Sequence, residues 1–271
     1  MKTRFIVSGL VLMAFPLAVG ASHNPPEEFD EFEPFIEINA TDGDVGFHVL
    51  LDGEAWKRAA IFDSDWDRMM KARATDDLED QGVTEFFIES AEPLCFFDEE
   101  EPDAEVVTLE EFVDRFEEGT YHARGRTLDG VRLVAEADFT HNIPAAPETE
   151  VEIEFEDGDI EVEISWETGE DLGECEYPEG LIPDPAEVEV VRWEVVVEPD
   201  EDQVEEAGVV FGVFSVQLPG DVDEVEISEE FIQRYVDAGV TTFKYEVGAK
   251  EESGNQTFTE DEFDIFGEEE E

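Results

Sequence analysis

The chain has 271 residues, of which 77 are Asp or Glu and 15 are Lys or Arg, so its formal net charge is -62 at pH 7. This balance predicts no basic surface, and it therefore argues against nucleic-acid binding and against docking on anionic membranes. It does not predict disorder, because 41% of the residues are hydrophobic and 22 are Phe. The length suits two domains of ordinary size.

The first 21 residues have the pattern of a secretory signal peptide. Lys2 and Arg4 precede an apolar run over 5–19, and small residues around Ala21 suit a signal peptidase. An uncleaved anchor is the alternative, but the run is short for a membrane span and has no basic flank after it. We therefore expect a secreted protein, periplasmic or extracellular, with no integral membrane segment after cleavage.

Composition and breaker residues divide the remaining sequence into segments. We expect an acidic, Pro-rich leader over 22–35, a β-rich N-terminal module over 36–143, a linker over 144–147, a β-sandwich over 148–266 and an acidic tail over 267–271. The predicted fold class is mainly β, with two β-sandwich-like modules and a few short helices.

The strongest local pattern is a hairpin over 149–166. Apolar residues alternate with acids on both sides of Asp157-Gly158, and a two-residue turn puts Phe155 opposite Ile160 on one face. The same register places acids opposite acids on the other face. This predicted carboxylate ladder consists of Glu152, Glu154, Glu156, Asp159, Glu161 and Glu163.

Facing like charges destabilise a sheet, so the carboxylate ladder needs concentrated salt or bound cations to offset its repulsion. At molar salt the Debye length falls to about 3 Å, which removes most of that repulsion. Acidic residues occur in almost every segment, and this uniform spread favours adaptation to salt over a dedicated cation site.

A second hairpin is predicted over 121–139, with Leu128-Asp129-Gly130 as a three-residue loop and Thr127 opposite Val131. Capping patterns predict one helix after Thr108 and another after Ser228. A weaker helix is expected over 66–78, and strands are expected over 193–197, 209–216 and 243–247.

The second half resembles a fibronectin type III domain. Val162, Ile164 and Trp166 are similar to the second strand of that family, which ends on a core Trp. Trp193, Val195 and Val197 are similar to its third strand, and the segment 243–249 is similar to its sixth. The resemblance covers 147–266 and implies a sandwich fold without specifying a ligand.

Calcium is the one cofactor that the sequence raises. Asp63, Asp65 and Asp67 have the alternating spacing of an acidic calcium loop. An EF-hand is excluded because Arg68 stands where the loop needs Gly, and Ala74 stands where it needs Glu. The alternative is a loop site shared with Asp42 and Asp44, and otherwise no cofactor is expected.

The two cysteines, Cys95 and Cys175, are expected to form a disulfide between the modules of an exported chain. Two separate buried thiols are the alternative. No pattern places a histidine beside either cysteine, so a thiol enzyme is not expected.

No other motif indicates catalysis. The sequence has no His-x-x-x-His, no Gly-x-Ser-x-Gly and no Gly-rich phosphate loop. Trp166 and Trp193 follow the apolar phase of their strands and are expected in the core, whereas for Trp56 and Trp66 the choice between core packing and sugar stacking stays open. We therefore expect a non-enzymatic binding or interaction module of a salt-adapted microbe, with an unknown protein or a polysaccharide as partner. The alternative is a calcium- or carbohydrate-binding domain associated with an extracellular hydrolase system.

Overall fold

The computed structural model describes residues 25–97, 104–156 and 159–267. The predicted signal peptide, the Asp157-Gly158 turn and the tail beyond Gly267 lie outside these ranges. Within them the chain is mainly β with a few short helices, which confirms the predicted fold class. No helix in the described ranges has the length and apolar character needed to span a bilayer.

The strands, in chain order, are β1 (Glu27–Glu28), β2 (Glu31–Asn39), β3 (Asp44–Phe62), β4 (Arg68–Arg73), β5 (Val83–Glu89), β6 (Gly119–Thr127), β7 (Arg132–Phe139), β8 (Pro147–Glu156), β9 (Asp159–Thr168), β10 (Arg192–Pro199), β11 (Phe214–Pro219), β12 (Glu224–Ile227), β13 (Thr242–Lys250) and β14 (Gln256–Asp264). The helices are α1 (Asp77–Gln81), α2 (Leu109–Arg115), α3 (Glu201–Ala207) and α4 (Glu229–Val236), and a 3-10 turn covers Pro185–Glu187.

The long strand β3 organises the N-terminal module. Its first half pairs with β2 and β5, and its second half pairs with β4 and β6. The β6–β7 hairpin follows, and β7 pairs in parallel with β1, which continues directly into β2. Hydrogen bonding therefore returns to the segment where it began, and these strands close into a small barrel around one core.

The barrel includes most of the segment predicted as a leader. Phe29 and Phe32 are only 6% and 7% exposed and pack in the barrel core, and β2 begins at Glu31. The predicted boundary at residue 35 is therefore wrong. Its acids and prolines suggest a solvated segment, but Phe29 and Phe32 face inward and supply apolar area to the core.

The C-terminal module is a sandwich of two sheets. The sheet β12-β9-β8 lies against the strands β14-β13-β10-β11, and the side chains between them form a second core. Trp166 and Trp193 meet in this core with ring centroids 5.8 Å apart, and each is 4% exposed. Their predicted packing role is confirmed.

Both predicted hairpin registers are confirmed. In the first hairpin Phe155 lies opposite Ile160, and the acids oppose one another as expected. In the second hairpin the Thr127 amide donates to the Val131 carbonyl, and Gly130 takes a positive φ of 84°. A residue with a Cβ is disfavoured at that φ, so the glycine specifies the three-residue loop.

The predicted helices and the predicted strand over 209–216 agree only in part with the structure. The helices after Thr108 and Ser228 are confirmed. The helix over 66–78 is wrong, because Arg68–Arg73 forms β4 on the edge of β3 and only a short α1 follows. The strand over 209–216 is wrong in its first half, since β11 begins at Phe214 after a helix that the pattern did not predict. At 68–73 pairing with a distant strand overrides the local pattern, whereas 209–213 pairs with no strand in the described ranges.

The segment predicted as a linker is not a free tether. Ala145 is fully buried, and the Pro144 carbonyl accepts a 2.7 Å hydrogen bond from the Thr257 hydroxyl on β14. Close by, β2 and β14 pair in parallel at Glu37 and Gln256, so one sheet runs through both modules. We call this parallel pairing the module joint.

The insertion between β9 and β10 returns to the barrel. Leu172 is buried in the barrel core, and the Glu174 amide donates to the Ala40 carbonyl at 3.0 Å. Cys95 and Cys175 are bonded there, with their Cα atoms 5.3 Å apart, so the predicted disulfide is confirmed. It fastens the insertion of the second module to the core of the first.

Candidate functional site

The outer face of the barrel carries a concentrated group of positive charges. Although the whole chain has only 15 Lys and Arg, six of them line one open cavity of about 370 Å³. These are Arg58, Arg68, Lys71, Arg124, Arg126 and Arg132. The expectation that no basic surface exists is therefore wrong, because whole-chain composition averages over this local segregation.

Strand alternation places these cations on one face. In β3, Ala59 and Ile61 are buried in the barrel while Arg58 points to solvent. In β6, Ala123 is buried and Arg124 is exposed in the same way. Because successive side chains of a strand point to opposite faces, arginines two residues apart share the outer surface.

Cross-strand register aligns four of the arginines in one row. Arg73 lies opposite Arg58, Arg58 lies opposite Arg126, and Arg126 lies opposite Arg132. We call these four residues the arginine ladder; it crosses β4, β3, β6 and β7. Neighbouring strands lie about 4.8 Å apart, so each of these arginines leaves the sheet beside another one. Like charges in such positions destabilise the sheet in the absence of a counter-charge.

Within the described ranges, carboxylates supply that counter-charge to one member of the ladder, Arg73. Within the part of the chain that the structure describes, none of the six cations lining the cavity forms an ion pair. Only Arg73, at the edge of the ladder, pairs with a carboxylate, that of Glu79 at 3.7 Å. Arg126 instead donates to the Gly130 carbonyl at 2.8 Å. The face is therefore open to an anion from outside.

An unusual turn supports Arg124. Trp66 adopts a left-handed conformation with φ of 68°, which is rare for a bulky residue. Its ring stacks on His122 at 3.7 Å, and the Arg124 guanidinium lies 4.4 Å from the ring centroid. Strained backbone of this kind clusters at functional sites. Here it fixes an aromatic support beneath one cation of the cavity wall.

The predicted calcium loop forms this turn. One Asp63 carboxylate oxygen accepts hydrogen bonds from the amides of Asp65 and Asp67, at 3.1 and 2.8 Å. The three carboxylates do not form a converging ligand group in the described ranges. Calcium binding by these residues stays a prediction.

The alternative prediction, a calcium site that Asp63, Asp65 and Asp67 share with Asp42 and Asp44, is wrong. Asp44 begins β3, whereas Asp63 follows its last residue, and the strand between them is 19 residues long. At about 3.3 Å per residue, the two groups lie far outside the span of one ion site.

The carboxylate ladder is wider than the hairpin alone predicts. Strand β12 pairs with β9 and puts Glu226 opposite Glu163, whose other neighbour is Glu152. Repulsion, first from Glu224 on β12, raises the pKa of Glu163 above its usual value. The fold therefore carries an acidic row on one module and an arginine row on the other.

The tryptophans do not form a platform for sugars. Trp56 is 1% exposed inside the barrel, so it cannot stack on a ligand. Trp66 is exposed, but its ring already contacts His122 and Arg124. The sequence leaves both residues open, and the structure places Trp56 in the core and the Trp66 ring against His122 and Arg124.

No protein-family model matches the sequence, and no curated protein is significantly similar to it. Among solved structures, the chain is similar to one from a study of host cell surface retention of a 1.5-MDa bacterial ice-binding adhesin, with 9% identity, a TM-score of 0.25, and 89% of this chain and 65% of that chain covered. A biofilm-associated protein BSP domain matches with 12% identity, a TM-score of 0.21 and coverage of 88% and 30%. Escherichia coli alpha-2-macroglobulin activated by porcine elastase matches with 13% identity, a TM-score of 0.25 and coverage of 88% and 20%. The chain spans less than two thirds of each of these proteins, and TM-scores this low do not define a common fold.

Proposed function

We propose that this chain is an exported, non-enzymatic binding module that holds an anionic polysaccharide on the arginine ladder and the cavity beside it. The observation that carries the proposal is the row of arginines in a chain of net charge -62, of which Arg58, Arg126 and Arg132 form no ion pair within the described ranges. Acids are abundant in the chain, yet none lines this cavity, so a ligand from outside can supply the negative charge.

Arginine is suited to this role. Its planar guanidinium group binds carboxylate or sulfate through two parallel hydrogen bonds, and it keeps its charge at all relevant pH values. Five of the six cations lining the cavity are arginines. A bound polyanion would neutralise the charges of Arg58 and its neighbours and remove their mutual repulsion, so binding would also stabilise the fold.

The lining of the cavity supports binding without chemistry. Besides the cations, the described lining consists of Ala, Gly, Leu and Val, with no carboxylate, hydroxyl, thiol or imidazole group. A general acid, a general base or a nucleophile has to lie within hydrogen-bond reach of the reacting atoms. The cavity therefore offers mainly cations that orient an anion, and Lys71 is the one described lining group of a type that also serves as a base or nucleophile.

A polysaccharide fits the face better than a nucleic acid does. A row of cations repeating at strand spacing suits a polymer with acidic groups at intervals along its chain. Proteins that bind single-stranded nucleic acid combine cations with free aromatic faces on which bases stack. The aromatic ring beside this cavity, Trp66, is already engaged by His122 and Arg124.

The setting that we propose is extracellular and salty. The predicted signal peptide and the disulfide support export, since disulfides persist in oxidising compartments. The carboxylate ladder supports adaptation to salt, because its repulsion is relieved by screening. We also propose that the C-terminal module is fibronectin type III-like; the strands that resemble the second, third and sixth of that family are the second, third and sixth of its seven described strands.

Calorimetric titration of the full chain with polygalacturonate and with dextran sulfate tests the proposed function. In about 0.15 M salt the Debye length is about 8 Å, so acids on distant surfaces are largely screened. We expect saturable binding that the double variant Arg58→Thr/Arg126→Thr loses and the control Arg115→Gln keeps. The control removes an exposed charge from α2, away from the cavity. Equal binding by both variants, or stronger binding of DNA than of either polysaccharide, would contradict the proposal.

A further inference from the structure

A second cluster lies at the module joint and is independent of the arginine ladder. His48 of β3 is 2% exposed and stands between Glu37 of β2 and Glu92 of the loop after β5. One ligand atom from each of these three side chains lies within 4.8 Å of the other two. We propose that His48 and Glu37 bind a divalent transition metal of the Zn²⁺ class, and that Glu92 positions the histidine for it.

The unsatisfied ring nitrogen carries the argument. Nδ1 of His48 is buried and has no hydrogen-bond partner, although buried polar atoms almost always have one. Its nearest acid is the Glu37 Oε2 atom at 3.7 Å, which is too long for a hydrogen bond. Zinc binds histidine nitrogen and carboxylate oxygen at about 2.0–2.2 Å, so two tetrahedral ligands stand roughly 3.3–3.6 Å apart. The gap between Nδ1 and Glu37 therefore matches two ligands of one ion.

The other ring nitrogen has the partner that a metal-binding histidine needs. Nε2 of His48 lies 2.9 Å from the Glu92 Oε1 atom, so with Nε2 protonated it donates a hydrogen bond to that carboxylate. A carboxylate in this position fixes the tautomer that leaves the opposite nitrogen free and makes it a stronger ligand. An imidazolium without metal would leave its Nδ1 proton unsatisfied.

The backbone and the neighbouring rings are shaped around this arrangement. A Cβ on Gly46 would lie 2.8 Å from His48 Nε2 and 2.7 Å from Glu92 Oε1, so only glycine leaves room for their contact. Phe35 and Phe87 pack edge-on against the imidazole, with centroids 5.1 and 5.5 Å away. These rings keep water from one side of the histidine, and the ion is approached from the carboxylate side.

A metal at this site would stabilise the module joint. Glu37 accepts a hydrogen bond from the Gln256 side chain, and these two residues pair across β2 and β14. An ion on Glu37 and His48 would therefore tie β2 to β3 beside the strand that joins the modules. Binding to the folded state alone should raise the melting temperature with metal concentration.

The test is a titration of EDTA-treated full-length protein with ZnCl₂, followed by calorimetry and thermal melting. We expect one saturable site per chain and a rising melting temperature. His48→Gln and Glu37→Gln should each weaken the site by more than about 100-fold, and Glu92→Gln by about 10- to 100-fold. The matched control is His122→Gln, because His122 also faces a carboxylate, Glu136 at 3.2 Å, but lies outside the cluster.

Visible absorption spectra of the unmodified protein with CoCl₂ test the metal site without any variant, so they apply even where a variant fails to fold. Histidine and carboxylate ligation should give a saturable visible band that ZnCl₂ displaces. Absence of that band, or unchanged zinc affinity in folded His48→Gln, would overturn the metal site. Polygalacturonate binding should be the same in His48→Gln and in the unmodified chain, which separates this inference from the proposed function.

Discussion

Replacing Arg58 with threonine should make the ligand-free protein more stable, although it removes a cation from a strongly acidic chain. Arg58 has an arginine opposite it on both sides, Arg73 on β4 and Arg126 on β6. Threonine suits an exposed strand position, so the change removes repulsion without a loss of β propensity.

The size of the effect follows from the register. A like-charged pair directly opposite in a sheet costs roughly 0.2–1 kcal/mol, so relieving two pairs should add about 0.4–2 kcal/mol to the free energy of unfolding. Arg132, at the end of the arginine ladder, has a single arginine opposite it, Arg126. Arg132→Thr should therefore give about half the gain for the same change in net charge.

Urea unfolding in about 0.05 M and about 1 M KCl measures both effects. The gain should be largest in dilute buffer and nearly vanish at high salt, where screening removes the repulsion. Arg115→Gln removes one charge from a helix outside the ladder and reports the cost of the change in net charge alone. If Arg58→Thr is no more stable than Arg115→Gln in dilute buffer, either the register is wrong or the arginines do not repel one another.

Three further predictions concern acids and the disulfide. Burial, and after it the charge of Glu260 on the neighbouring strand, raises the pKa of Glu246 to about 7. Between pH 4.5 and 7 the folded state therefore holds a proton that the unfolded chain has lost, and the free energy of unfolding falls as the pH rises through about 4.5 to 7. Glu246→Gln should add about 1 kcal/mol at pH 8, after allowance for solvent screening, and little at pH 4, as measured by urea unfolding. Glu154→Thr with Glu161→Thr should raise the melting temperature by a few degrees in dilute buffer and have little effect in molar KCl; no gain at low salt would disprove the repulsion. Replacing both Cys95 and Cys175 with Ser opens a loop of about 80 residues and should lower the free energy of unfolding by about 2–4 kcal/mol; unchanged urea unfolding would show that the cross-link does not constrain the unfolded chain.

The two hairpins were predictable from the sequence, because local patterns determine their registers. Alternation on both sides of Asp157-Gly158 predicts one hairpin, and Gly130 predicts the loop of the other, because loop length and side-chain period select the same register. Arg126 and Arg132 already face one another in that second register. Half of the arginine ladder therefore had a signal in the sequence.

The other half depends on pairing between distant segments. Arg58 and Arg126 are separated by 68 positions, and no local pattern specifies that β3 and β6 pair. Arg73 was assigned to a helix because its segment lacks strand alternation, yet the exposed edge of β3 recruits it as β4. The buried His48 was passed over for a related reason, since its glutamates come from β2 and from a loop 44 residues away.

Arginine side-chain NMR tests the central claim most directly, because it reports which guanidinium groups an anionic polymer touches. The Nε–Hε signals of the full chain are recorded while short polygalacturonate oligomers are added. We expect saturable shifts for Arg58, Arg124 and Arg126, which line the cavity, and unchanged signals for Arg115 and Arg192, which lie on α2 and β10. Shifts confined to Arg115 and Arg192, or no shift at saturating oligomer, would contradict the central claim.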